Sequence, residues 1–279
     1  MTAKEALVYI RGRLREAGIE EFEYESSLFL EWVFGMNRAD YYMDPGRVLP
    51  EGKLALLEKK LEARERRIPL QYLMGSCEFM GFPFQVDERV LIPRQDTECL
   101  VEESLFWMKG KENPKILDLC TGSGCIGISI KKLQPDAQVT LSDISEGALS
   151  VAGANARNLQ ADIALIQGDL FENIQEEFDF IVSNPPYIPS GDIEALMPEV
   201  RDYEPRLALD GAGDGLFVYR RIAKEAPGYL KKGGMLLFEI GMEQGESLRR
   251  ILSEEGFHDI KVKKDLAGLD RIVTARYDG

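Results

Sequence analysis

Short apolar runs and helix-patterned segments alternate from Lys115 almost to the end of the chain, and this alternation limits the fold more than any other feature. Strands are predicted at 115–119, 138–142, 162–166, 178–183 and 234–240, with helices at 125–134, 145–158 and about 215–230. A parallel neighbour cannot be reached by a tight hairpin, so strands separated by helices pair in parallel. The closing strands, 258–263 and 270–277, have only a short turn between them and must pair antiparallel. The expectation is an α/β fold whose seven-stranded sheet is mostly parallel, with its last strand reversed.

The first part of the chain has a different grammar. Residues 2–67 read as helices only. Thr2 and Glu5 form a capping-box pattern and Gly18 closes the first helix. Tyr24, Leu28, Trp32 and Phe34 repeat until Gly35 stops them. A short helix at 37–43 precedes the Asp44-Pro45-Gly46 turn, and 51–67 places Leu54, Leu57 and Leu61 on one face. We therefore expect a small all-helical domain over 1–75. Residues 76–92, alternating around Gly81, read as a β-hairpin linker. A helix at about 96–109 then opens the sheet domain, 93–279.

Charge and cysteine usage exclude several function classes. The 279 residues carry 34 basic and 48 acidic side chains, a net charge of −14. Residues 1–75 hold 12 basic and 13 acidic groups, so the acidic excess lies in the sheet domain. Such a field repels phosphate backbones and disfavours an enzyme that tracks duplex nucleic acid. No apolar stretch reaches the roughly 18 residues of a membrane span, and the start lacks the order of a secretory signal. Cys77, Cys99, Cys120 and Cys125 form no CxxC, and the single histidine, His258, falls in an edge strand between Phe257 and Ile260. This spacing suits neither a zinc site nor a disulfide framework; it suits reduced thiols in the cytoplasm.

The first parallel strand ends in Asp118-Leu119-Cys120-Thr121-Gly122-Ser123-Gly124 and a helix follows. Glycines there permit a tight turn and close backbone approach to a ligand. By letters, Gly122, Gly124 and Gly127 match the dinucleotide pattern G-x-G-x-x-G. Asp118, however, places an acid at the strand end, which suits an amino-acid ammonium better than a pyrophosphate. Asp143 ends the second strand, where an acid takes ribose hydroxyls or else caps the helix beginning near Ser145. Asp169 and Leu170 follow the third strand, in reach of an adenine amino group. Open α/β sheets bind ligands at their carboxyl edge. Three such turns favour S-adenosylmethionine over a dinucleotide. Cys120 and Cys125, flanking the first turn, read as small buried side chains.

The most specific signal is Asn184-Pro185-Pro186-Tyr187, directly after the fourth strand. Two prolines fix two φ angles and remove two donors. The Asn184 side-chain oxygen and the Pro185 carbonyl can then accept both hydrogens of one planar NH₂ group, while Tyr187 offers a stacking face. That group is an amide or an aromatic amine. Two acceptors hold its nitrogen in line with a methyl donor, and no metal is required.

Taken together, D-L-C-T-G-S-G, Asp143, N-P-P-Y, I-P-R-Q-D-T-E at 92–98 and Y-E-P-R-L-A-L-D-G-A-G-D-G at 203–215 resemble the class I methyltransferases of the peptide chain release factor glutamine N5-methyltransferase family (the HemK/PrmC group). The resemblance spans essentially the whole chain. It implies a Rossmann-like methyltransferase sheet behind a helical domain that grips release factors 1 and 2. It implies methylation of the side-chain amide of the glutamine in their Gly-Gly-Gln motif, with S-adenosyl-L-homocysteine as the product. Carried over by motif, Cys120, Thr121, Gly122, Ser123, Gly124, Asp143, Leu170 and Asn184 would line the cofactor site. Asn184, Pro185, Pro186 and Tyr187 would hold the glutamine. One departure is Gln95, where the family usually has a second proline; Arg94 and Glu98 remain, either near the cofactor or paired at the helix start. The proline- and glycine-bearing stretch 188–214 is expected to cover the site or touch substrate. A monomer is the default expectation. Two rival readings are a nucleic-acid N6-adenine methyltransferase, since the same turn suits a flipped adenine, and a non-catalytic adaptor that binds cofactor and partner only.

Overall fold

The structure, a computed structural model, describes residues 1–265 and 267–279. The chain divides into two compact units, Met1–Gly75 with Met197–Tyr203, and Ser76–Leu196 with Glu204–Gly279.

The first unit is helical, with α1 (Ala3–Glu16), α2 (Phe22–Phe34), α3 (Arg38–Met43), α4 (Leu54–Glu65) and α5 (Leu70–Met74). The Thr2–Glu5 capping box forms, and Gly35 ends α2 in the left-handed region at φ +70°. Leu7, Ile10, Leu14, Phe29, Leu30, Leu57 and Leu61 make its core. The buried Arg64 guanidinium donates to both oxygens of Glu25, at 2.8 and 2.9 Å. It also pairs with Glu199 at 2.9 Å, and Arg67 reaches the same carboxylate at 2.6 Å. The Tyr203 hydroxyl donates to the Arg66 carbonyl. A segment far along the chain thus completes this unit, which a boundary at residue 75 leaves out. Helix periodicity reports local faces and is blind to a distant helix that supplies counter-charges.

The second unit comprises β1 (Ser76–Phe79), β2 (Phe82–Gln85), α6 (Gln95–Met108), β3 (Lys115–Leu119), α7 (Cys125–Leu133), β4 (Gln138–Asp143), α8 (Glu146–Asn158), β5 (Ala164–Gln167) and β6 (Phe178–Ser183). After α9 (Pro198–Tyr203), which belongs to the helical unit, follow α10 (Arg206–Leu209), α11 (Phe217–Glu225), β7 (Leu230–Glu239), α12 (Gly245–Glu254), β8 (His258–Lys264) and β9 (Asp270–Tyr277). The seven-stranded sheet runs β5-β4-β3-β6-β7-β9-β8. Strands β3 to β7 pair in parallel, and β9 is antiparallel to both neighbours, as the short final turn demanded. Ile116, Phe180 and Leu237 enter one apolar cluster while Leu117, Ile181 and Leu236 enter another. Alternate residues therefore bury both faces of the sheet.

Three details differ from the sequence reading. The hairpin is not a free linker: Phe79 and Phe84 are fully buried with Leu100, Val101 and Ile126. The predicted helix at 215–230 is shorter, Phe217–Glu225, because a 3₁₀ turn carrying Pro227 ends it before β7 starts at Leu230. Helix α12, which buries Leu248, Ile251 and Leu252, has no counterpart among the predicted elements. His258 lies on the edge strand β8 beside Asp278 at 2.9 Å.

Candidate active site

The chain leaves β3 outward through β4 and β5, then returns to β6 on the other side of β3. At the carboxyl ends of these strands a cavity of about 310 Å³ opens, where the reversal of strand order parts the connecting loops. Cys120, Thr121, Gly122, Ser123, Asp143, Asp169, Leu170, Asn184 and Pro186 all line it. Asp118, Gly124, Pro185 and Tyr187 are not among the lining residues.

Asp118 lies beneath the glycine-rich turn, fully buried. Its Oδ2 accepts from the Thr121 hydroxyl at 2.6 Å and the Gly127 amide at 3.0 Å. Its Oδ1 is buried with no partner among the described residues. Burial raises the carboxyl to about 7, against these hydrogen bonds. The acid at the strand end therefore holds the turn from beneath and is not itself among the residues lining the cavity. Gly124 and Gly127 are structural in the same sense. A Cβ on Gly127 would lie 2.2 Å from the Leu141 side chain, and one on Gly124 would lie 2.7 Å from Ile128. Gly122 differs: a Cβ there meets nothing within 4 Å, so its backbone faces open space.

Asp143 ties two turns together. Its Oδ2 accepts from Gly122 N and its Oδ1 from Ser145 N, each at 2.9 Å. Ser145 itself caps α8, its hydroxyl accepting from Ala148 N. Asp143 is therefore left on the cavity wall, with one oxygen steering the Gly122 amide. Burial raises its carboxyl, and the backbone amides oppose that shift. Asp169 pairs with Arg221 at 3.0 Å. Leu170 is buried at φ +56°. Burial pushes both the Cys120 and the Cys125 thiol upward, which favours the neutral thiol over the thiolate.

The Asn184–Tyr187 turn is braced from behind. The Asn184 amide nitrogen donates to the Thr97 hydroxyl at 3.4 Å. The glycine-rich stretch 210–215 packs against the turn. A Cβ on Gly211 would lie 2.9 Å from the Pro186 carbonyl oxygen, and one on Gly215 would lie 2.2 Å from that of Tyr187. Gln244 donates to the Tyr187 carbonyl at 3.0 Å while accepting from Gly241 N at 2.9 Å. The Tyr187 phenol is raised to about 12 by burial. Arg94 lines the cavity and pairs with Glu204, whereas Glu98 accepts from the Met80 amide at 2.6 Å. Arg94 and Glu98 thus have different partners and no helix-start pair exists.

Sequence reasoning missed Thr97, Arg221, Gln244 and Glu239. Thr97 sits within the quoted 92–98 segment. Glu239 had a readable signal, an acid closing the apolar run L-L-F-E. Among the described residues, no group of three or more His, Cys, Asp or Glu side chains is placed to hold a metal ion.

The PrmC N-terminal domain model matches residues 5–75 and the methyltransferase small domain model matches 97–199. A release factor glutamine methyltransferase of Geobacter sulfurreducens is 43% identical over 99% of this chain and 96% of its own length. The chain belongs to the release factor glutamine methyltransferases. Another member of the family, from Clostridium acetobutylicum, is 40% identical over 99% of this chain and 98% of its own. A methyltransferase of Pyrococcus furiosus shares the fold, with a TM-score of 0.53 and 16% identity over 72% of this chain and 91% of that one. The 16S rRNA N2 G1207 methyltransferase of Thermus thermophilus, solved with AdoMet and guanosine, is alike to the same degree over 72% of this chain and 49% of its own. Both likenesses concern the methyltransferase fold.

Proposed function

We propose that this enzyme methylates the side-chain amide nitrogen, N5, of the Gly-Gly-Gln glutamine in release factors 1 and 2, using S-adenosylmethionine. The observation that carries this reading is that Asn184 and Pro186 stand on the wall of the same cavity as Gly122 and Asp143. An amide acceptor and a glycine-rich, acid-flanked turn therefore face one space.

The lining suits S-adenosylmethionine. Gly122 leaves its backbone open to a ligand, and Asp143 retains lone pairs for hydroxyl donors beyond the two amides it already accepts. Leu170, Ile126 and Ala148 supply apolar surface for a planar base. When bound, the cofactor supplies a methyl carbon activated by a positive sulfur. The residues do the rest by alignment. A glutamine amide is a weak nucleophile because its lone pair is delocalised, so holding its NH₂ between the Asn184 oxygen and the Pro185 carbonyl is the main task. Tyr187, outside the cavity lining, braces that turn through its carbonyl. The helical unit is the part that recognises the release factor. The enzyme works in the cytoplasm, as a monomer. Among the described residues, no helix is long and apolar enough to cross a membrane.

The deciding experiment offers labelled S-adenosylmethionine with three substrates: a class 1 release factor, the same factor with its Gly-Gly-Gln glutamine changed to alanine, and mixed DNA and RNA. Label on the first alone is expected. Label on nucleic acid, with none on either protein, transfers the site to a flipped adenine. Cofactor binding without label anywhere makes the chain an adaptor.

A further inference from the structure

The Asn184 amide can serve a substrate NH₂ in only one of its two orientations. With Oδ1 toward the substrate it accepts a hydrogen bond; turned over, it presents its own two donors to another donor. Shape does not choose between them, because the oxygen and nitrogen ends are nearly the same size.

The choice is made behind the turn. Thr97, in the first turn of α6, is buried, and its hydroxyl lies 3.4 Å from Asn184 Nδ2. Glu239 ends β7, one residue beyond the Ser183–Phe238 pair that joins β6 to β7. It is 2% exposed, and the polar side chains of Thr97 and Asn184 both face its carboxyl. Its Oε2 is buried with no partner among the described residues. Arg271 stands near it as a positive charge and Asp96 as a negative one, with the Tyr187 phenol facing the same group.

Once ionised, as it is when pH rises past about 7, the Glu239 carboxylate can only accept. The Thr97 proton is thereby drawn to Glu239, and the Thr97 lone pairs are left for a donor. Only the nitrogen end of Asn184 supplies one. Donors then run in a single direction, from Asn184 through Thr97 to Glu239, and the Asn184 oxygen is the atom left for the cavity. We infer that Thr97 and Glu239 are positioning residues that set the polarity of Asn184. Neither touches the reacting atoms. This inference rests on the reading that Asn184 receives the glutamine amide.

The test compares Thr97→Val, Thr97→Ser, Glu239→Gln and Asn184→Ala in release factor methylation, alongside cofactor titration. Thr97→Val and Glu239→Gln are expected to lower kcat about 10- to 100-fold, the cost of one mispaired buried amide, with S-adenosylmethionine affinity within about 3-fold. Thr97→Ser, which keeps the hydroxyl and loses a methyl, retains kcat within about 3-fold. Wild-type kcat in Thr97→Val and Glu239→Gln overturns the inference. So does equal damage in Thr97→Val and Thr97→Ser, which would make the position a matter of packing. Asn184→Ala is expected to lower kcat/KM by about 100- to 1000-fold. Full activity in that variant would instead sink the reading of Asn184 itself, a different failure from the first.

Discussion

The two halves of the cavity at the carboxyl edge of the sheet are built by opposite means. On the side of β3, β4 and β5, carboxylates hold backbone amides: Asp118 holds Gly127 and Asp143 holds Gly122. On the side of β6, prolines stiffen the turn, and glycines allow another loop to come within contact distance of its carbonyls. The first half is shaped by charge in a buried place, and the second by steric fit. The comparison shows that an acid near a ligand site need not be a ligand residue. Asp118 has the sequence position of a contact residue and the burial of a structural one.

This contrast can be broken most forcefully at Asn184. Replacing it by alanine should reduce kcat/KM for release factor methylation by about 100- to 1000-fold, as for loss of one preorganised polar contact. A reduction below 10-fold, measured by transfer of labelled methyl, would mean that the turn's carbonyls suffice. The opposite half predicts a stability effect. Asp118→Ala strands the buried Thr121 hydroxyl and Gly127 amide and should cost about 2–4 kcal/mol in chemical denaturation. If stability is unchanged and only cofactor affinity falls, Asp118 is a ligand residue after all.

Gly215→Ala probes the steric half. The added methyl meets the Tyr187 carbonyl at a φ of +72°, so a loss of about 1–3 kcal/mol and slower methyl transfer are expected, by denaturation and kinetics. A titration sharpens the contrast further. Burial raises the Glu239 carboxyl from 4.5 to about 7. Between those values the folded state keeps a proton that the unfolded state has released, so stability is full below the lower value and falls as pH rises through the upper one. Glu239→Gln has no such proton. The melting temperature of the wild type minus that of the variant should therefore decline as pH climbs across this window; a flat difference would refute the assignment. The smallest effect belongs to Cys120, which holds φ +58° without being glycine. Cys120→Gly should change stability by less than about 1 kcal/mol, because relief of strain offsets lost chain restriction.

The sequence by itself determined the sheet and the place of the cavity. Strand and helix periods, the short final turn and the glycine-rich and proline-rich turns are local patterns, and local chemistry makes each of them. They placed Gly122, Asp143, Leu170 and Asn184 on one edge because parallel strands separated by helices all end on the same side. Tertiary structure alone decided which of the named residues face the cavity and which brace it. Asp118 stands one residue before the end of β3 and Asp143 at the end of β4, yet only Asp143 reaches the wall. Thr97, Glu239 and Gln244 lie far from residues 184–187 in sequence. So does Glu199 from Arg64, whose ion pair carries a distant helix into the helical unit. Such contacts arise when separate elements close on one another, and no periodicity within a single element encodes them.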